Sequence, residues 1–235
     1  MDVYTHEKEQ IESIKAWWRE NRWYLVSGVV IALALVGGWR YWQAWQIEQA
    51  QAASAHYADM LVDARARDIN SVREKAAQLR EDYARTPYAT LGNLRLAALE
   101  VESGDFEAAA ETLRWAMENS RDKELGLVAR LRLARVQLEL GKYDEAIALV
   151  SGQQTVAFKA LFEEVRGDAL LLKNDREGAR AAYEAALAAA SVGPADVQRL
   201  ERKRQNVQLP LDVLVAGDAA AAETETPSDQ GTADE

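Results

Sequence analysis

The chain contains no cysteine and only two histidines. Thiol chemistry is therefore excluded, and zinc lacks its usual ligands. His6 precedes and His56 succeeds a long apolar run, residues 23–39, so the two cannot converge on one metal. An oxidising compartment remains permitted, because nothing is present to oxidise into a wrong disulfide. No basic surplus exists either. The formal charge is −10, six of the acids (Asp218, Glu223, Glu225, Asp229, Asp234, Glu235) fall in a segment without Lys or Arg, and no basic stripe remains to track a nucleic acid. No phosphate loop, dinucleotide fingerprint or nucleophile elbow occurs. An enzyme and a bound cofactor are not expected. Proline is scarce, glycine modest, and Ala, Leu, Glu and Arg dominate, which suits an all-α chain.

Against these absences stands the one uncharged run at 23–39, bracketed by Arg22 and Arg40. Six of the seven tryptophans (Trp17, Trp18, Trp23, Trp39, Trp42, Trp45) flank it, together with Tyr24 and Tyr41. Such rings settle at the headgroup level of a bilayer, so the run reads as a single transmembrane helix. At ~1.5 Å per residue it reaches roughly 25 Å, a little short of a ~30 Å hydrocarbon core, and snorkelling of the two arginines absorbs the deficit. A cleavable leader ending at Ala50-Gln51-Ala52 is the competing reading, one that would release a soluble module. That small-x-small site lies well beyond Val36, across Trp39, Arg40, Tyr41, Trp42 and Trp45, so an uncleaved anchor is favoured.

Lys8, Lys15, Arg19 and Arg22 precede the span, whereas residues 40–59 carry only Arg40. The positive-inside rule then places a cytoplasmic leader at 1–22 and exports the chain beyond the span. Within the leader, Ile11, Ile14 and Trp18 share a helical face suited to the inner leaflet, a cytoplasmic docking peptide being the other reading. Gly28/Ala32 and Ala34/Gly38 form small-xxx-small pairs, candidates for close packing against another membrane helix.

Residues 40–210 show a repeat. Gly104-Asp105-Phe106-Glu107-Ala108-Ala109, Gly141-Lys142-Tyr143-Asp144-Glu145-Ala146 and Asn174-Asp175-Arg176-Glu177-Gly178-Ala179 share one grammar, with turn residues 37 and 33 apart, around the 34-residue tetratricopeptide period. Small residues recur where paired helices would touch: Ala97, Ala134 and Gly167 before the turns, Ala109, Ala146 and Ala179 after them. The family's early tryptophan position holds Asn93, Arg130 and Glu163, so the hairpins are tetratricopeptide-like and degenerate. Gln153 replaces the usual alanine late in the second unit, whose second helix is expected to stop early at Gly152. A less regular hairpin over 44–66 and 71–85 is expected before these, ended by Pro87, and a capping helix opened by Pro194 after them. The expected fold is thus an α-solenoid of helical hairpins behind a single N-terminal transmembrane helix, with a disordered acidic tail at 211–235.

The first helix of each hairpin carries an apolar stripe: Leu91, Leu94, Ala98 and Val101; Val128, Leu131 and Leu138; Leu161 and Leu171. Arg135, Glu164 and Asp168 interleave with it. By repeat register these residues lie near the concave side, either as core closed by the chain's own C-terminal segment or as a groove for an extended peptide or a partner helix. Glu163, Glu164 and Asp168 also resemble a carboxylate cluster, but solvated helix charges are the expected reading.

Trp39-Arg40-Tyr41-Trp42, Leu131-Arg132-Leu133-Ala134-Arg135-Val136-Gln137 and Arg166-Gly167-Asp168-Ala169-Leu170-Leu171 resemble the YfgM-type ancillary subunit of the bacterial SecYEG translocon, over roughly residues 1–206. The tail after Val207 departs from that family, and nothing transfers to it. The resemblance implies an inner-membrane protein with a periplasmic tetratricopeptide-like domain, without catalytic residues. It implies association with SecYEG and with the chaperone PpiD, in support of emerging polypeptides. A membrane-anchored adaptor for cell-envelope or division assembly is the alternative.

Overall fold

Four turns of identical backbone organise the chain. The computed structural model describes residues 3–152, 156–190 and 196–207, with side chains from residue 15 onward except at 16 and 25. Among them are α1 (Val3–Arg65), α2 (Ile69–Asp82), α3 (Pro87–Glu102), α4 (Phe106–Asn119), α5 (Lys123–Glu139), α6 (Tyr143–Val150), α7 (Val156–Leu172), α8 (Arg176–Ala189) and α9 (Val197–Asn206). No strand occurs among the described residues. The acidic tail, Gln153, Pro194 and the side chains of Ile11 and Ile14 lie outside them. Contacts divide the chain into residues 1–52 and residues 53–235.

In the first unit, the helix from Trp17 contains an 18-residue window of mean hydropathy 1.5, with none of it buried. By length and composition it can cross a membrane. Ser27 donates its hydroxyl to Tyr24 O at 2.9 Å, which satisfies that group within the helix instead of leaving it to lipid. Trp39 and Trp42 lie with ring centroids 5.3 Å apart.

In the second unit each hairpin ends its first helix with a left-handed residue: Gly104 (φ 80°), Gly141 (φ 71°) and Asn174 (φ 64°), as their spacing predicts. Arg67 (φ 56°) does the same in the leading hairpin. Around Gly104, Asp105 N–H reaches Glu100 O at 2.8 Å and Gly104 N–H reaches Val101 O at 3.0 Å, the double bond of a Schellman turn. The same pair recurs as Lys142 to Gln137 with Gly141 to Leu138, as Asp175 to Leu170 with Asn174 to Leu171, and as Asp68 to Asp63 with Arg67 to Ala64. Asp68, Asp105 and Asp175 then cap the next helix, accepting from Ser71, Ala108 and Gly178 N–H. One dipeptide thus stops one helix and starts the next. Pro87 is the first residue of α3, not only the end of what precedes it, because its missing N–H is unneeded there. Asp196 caps α9, which spans Val197–Asn206 where a capping helix over 195–206 is expected.

Packing joins each hairpin to the first helix of the next. Ala53, Met60, Val72, Leu79 and Leu96 form one cluster, and Leu94, Leu113, Ala129 and Leu133 form the next. Leu131, Ala134, Val150, Phe162 and Val165 come after them, followed by Ala160, Ala186 and Leu200 and by Ala179, Tyr183 and Val207. Helix α6 has only 8 residues, with Gly152 at φ 108° just after it, as expected for a second helix that stops early.

Two crossings require glycine. A β-carbon on Gly92 would lie 2.8 Å from Leu79 Cδ1, and one on Gly167 would lie 2.5 Å from Tyr183 Cε1. Tyr183 is 1% exposed and donates its hydroxyl to Asp168 at 2.7 Å, so its ring has nowhere to retreat. Gly167→Ala is expected to destabilise the domain by about 1–3 kcal/mol through overpacking, read as a lower chemical-denaturation midpoint. Gly104→Ala meets no neighbour and loses only the turn conformation, for a cost of about 1 kcal/mol.

The leading hairpin is also held by Lys75 Nζ on Asp63 Oδ2 at 2.7 Å. The Lys75 and Ser71 hydrogen bonds hold the Asp63 carboxyl below its ordinary 3.8, and Asp63 holds Lys75 above its ordinary 10.5. A depressed carboxylate stabilises above its unfolded pKa and loses that contribution as pH falls through the folded value. A raised ammonium stabilises below its unfolded pKa and loses that contribution as pH rises through the folded value. The pair therefore contributes between these limits. Thermal unfolding of Asp63→Asn should lose less stability than the wild type as pH drops below 3.8.

Candidate protein-interaction surface

The nine residues of the expected groove do not share one environment. Leu94 and Leu131 are 5% and 6% exposed and sit in the cores between hairpins, so neither is surface. Leu91, Val128 and Leu138 are half-buried, and Val101 and Arg135 are exposed. Of these five, Val128 packs against the Leu94 cluster and Leu138 against the Leu131 cluster. Arg132, beside Arg135, reaches back to donate to Leu94 O at 3.3 Å, bridging α5 to α3.

Glu164 and Asp168 differ. They are not solvated helix charges, because α9 lies over them. Glu164 is 2% exposed and receives Arg199 Nη2 and Lys203 Nζ, both at 2.9 Å. Lys203 also meets Asp168 Oδ2 at 2.7 Å, and Tyr183 donates to the same carboxylate. The two cations offset the desolvation of Glu164, while Leu200, fully buried on the same helix, seats α9 against Ala160 and Ala186. At this end the chain's own C-terminal helix occupies the acid-lined face. The signal missed in the sequence is the i, i+4 spacing of Arg199 and Lys203 facing the i, i+4 spacing of Glu164 and Asp168.

The lost tryptophan position is polar and partnered differently in each hairpin. Asn93 is fully buried, donates to Ala89 O at 2.7 Å and accepts from Arg80 Nε. Arg80 stacks 4.9 Å above the Trp115 ring, and burial pushes its guanidinium below its ordinary range while Glu100 opposes that shift. Arg130 donates to Leu149 O and to Ser151 O, with its guanidinium 5.6 Å from the Phe162 centroid. Glu163 pairs with Arg166 at 3.2 Å.

Gly28, Ala32, Ala34 and Gly38 are all exposed, and a β-carbon on Gly28 or Gly38 meets nothing within 4 Å. Among the described residues, no group of three or more His, Cys, Asp or Glu side chains could hold a metal.

If α9 is held by charge as well as by Leu200, removing both cations leaves Glu164 buried and uncompensated. Arg199→Met with Lys203→Met should destabilise by about 3 kcal/mol, measured by urea denaturation. The exposed Lys173–Asp144 pair should matter little, so Lys173→Met should leave the denaturation midpoint unchanged.

Comparison with known proteins agrees with this architecture. The tetratricopeptide repeat-like domain family matches residues 15–214. An ancillary SecYEG translocon subunit of Aggregatibacter actinomycetemcomitans is 37% identical over 185 residues, covering 78% of this chain and 90% of the relative. The protein of that name from Escherichia coli (strain K12) is 32% identical over 209 residues, covering 89% of this chain and 100% of the relative. That of Haemophilus influenzae is 32% identical over 185 residues.

Proposed function

We propose, from the premise that this chain belongs to the tetratricopeptide-like family of ancillary SecYEG translocon subunits, that it is a non-enzymatic inner-membrane scaffold of the export channel. The observation that carries this reading is the joining, in one chain, of a membrane-length apolar helix to a tetratricopeptide-like hairpin stack. Tethering confines the stack near its partners, and a short linkage supplies an effective concentration on the order of millimolar without any new contact.

The excess of basic residues before the span supports a cytoplasmic N-terminus and a periplasmic hairpin domain. There the strip formed by Leu91, Val101, Val128 and Leu138, with Arg135, is the surface for the chaperone PpiD and for emerging polypeptides. Its partly exposed apolar side chains suit an unfolded segment or a helix laid along them. Glu164 and Asp168 are committed to α9 and stand outside this surface.

A photo-activatable residue at Val101 or at Arg135 should crosslink to PpiD or to a chain in transit, and purification in mild detergent should recover SecYEG. Arg135→Glu should lower the crosslinked fraction severalfold without moving the unfolding temperature. Crosslinks confined to the protein's own C-terminal residues would defeat the groove reading. A septal distribution without translocon in the eluate would favour the envelope-assembly role instead.

A further inference from the structure

Two successive first helices repeat one face. Leu91, Arg95 and Ala98 on α3 stand 37 residues before Val128, Arg132 and Arg135 on α5, the interval that also separates Gly104 from Gly141. Each set has the i, i+4, i+7 spacing of a single helical face. The residues between them, Leu94, Leu96 and Ala97 on α3 and Leu131, Leu133 and Ala134 on α5, are buried.

The middle of this face is cationic. Arg132 and Arg135 are exposed and Arg95 is half-buried, and none of the three forms an ion pair among the described residues. Arg95 and Arg132 each donate to one backbone carbonyl, at 3.5 and 3.3 Å. A guanidinium carries five N–H donors, so most of each fork stays available for an anion. The acids on the same stripes, Glu124, Glu102 and Glu139, stand only at their ends.

The complement is carried by the same chain. Beyond Val207 come six acids between Asp218 and Glu235, with no Lys or Arg. All six lie past residue 214, where the match to the repeat-like family stops. Their point of departure is fixed, because Val207 is buried against Ala179 and Tyr183 and Arg176 donates to its carbonyl at 2.9 Å. Val207 also packs beside Leu170 and Leu171 of α7, the first helix next to α5. A coil from Val207 to Asp218 spans roughly 18 Å. Packed helices stand ~8–10 Å apart, so α5 is within reach of the first acid and α3 of those that follow.

We propose that the acidic segment from Asp218 onward lies across Arg95, Arg132 and Arg135 and must leave before a partner occupies that face. Exposed ion pairs are individually weak, so a partner can displace them, yet tethering gives the segment an effective concentration on the order of millimolar. This regulation rests on the reading of the face as a partner surface.

Because the chain has no cysteine, Ser228→Cys offers one attachment point for a nitroxide label on the full chain in detergent micelles. Amide-resolved NMR should show paramagnetic broadening at Arg95, Arg132 and Arg135, severalfold stronger than at Glu111 and Glu184 on the second helices α4 and α8. Raising salt to about 1 M, where the screening length is ~3 Å, should remove most of it. Glu223→Gln with Glu225→Gln and Asp229→Asn changes no residue of the hairpin domain and should remove it too. Ending the chain after Gly217 should raise partner crosslinking from Val101 severalfold. Broadening that is absent, equal on both helix layers or unchanged at high salt would overturn the proposal, as would crosslinking unaffected by the truncation. Broadening in an isotope-labelled chain mixed with a spin-labelled, isotope-free one would assign the segment to a second copy and overturn it as well. Translocon recovery separates the two readings. A chain that recovers SecYEG without the broadening removes the tail contact alone, and one that shows the broadening but recovers no SecYEG removes the scaffold reading.

Discussion

A pair of antiparallel helices cannot cover both faces of its first member, and that deficit governs the hairpin domain. Leu94 and Leu133 are both core, and each lies on a helix that packs within its own hairpin and against a neighbouring one. Leu131 stands in the same position with respect to Phe162 and Val165. These clusters draw on more than one hairpin, so none of them is complete until the next hairpin is in place. Close approach makes this sharing possible. Ala97, Ala109, Ala134, Ala146, Gly167 and Ala179 are all buried, and the one glycine among them faces Tyr183.

Much of this was legible because backbone requirements are local. A left-handed residue with an aspartate cap directly after it is written as Gly-Asp or Asn-Asp, and those dipeptides stand at Gly104 and Asn174. Arg67-Asp68 performs the same task without glycine, so the leading hairpin looks irregular in sequence although its turn bonds match the others. The signal was its offset of 37 residues from Gly104, the same interval that separates Gly104 from Gly141. The long-range contacts were less readable. Leu94 and Leu131 occupy positions that repeat register assigns to a groove, but the next helix covers them. Glu164 resembles a solvated helix charge because its partners, Arg199 and Lys203, lie in a different helix far along the chain.

The polar residues left at the tryptophan position show how a degenerate repeat keeps its helices together. An indole would fill the space between paired helices by volume. Asn93 fills it by hydrogen bonding, to Ala89 in its own helix and to Arg80 in the preceding one. Arg130 reaches across to the carbonyls that end α6, where the short helix leaves them free. These bonds are directional, so they fix the relative placement of elements that alanine contacts alone would let slide.

The same logic accounts for how α9 sits on α7. Arg95 on α3 reaches Ala64 O on α1, Arg132 on α5 reaches Leu94 O on α3 and Arg199 on α9 reaches Glu164 on α7, so three helices extend an arginine back to the first helix of the hairpin before. In the interior the arginine finds a backbone carbonyl, and the adjacent position carries leucine because another full hairpin comes next to bury it. At α9 no such hairpin is described, and an exposed leucine at Glu164 would be an invitation to further stacking. A carboxylate there is compatible with burial only beneath a helix that brings its own cations, and α9 brings two. The charge at Glu164 therefore selects the short basic helix as the neighbour of α7 and disfavours an apolar one.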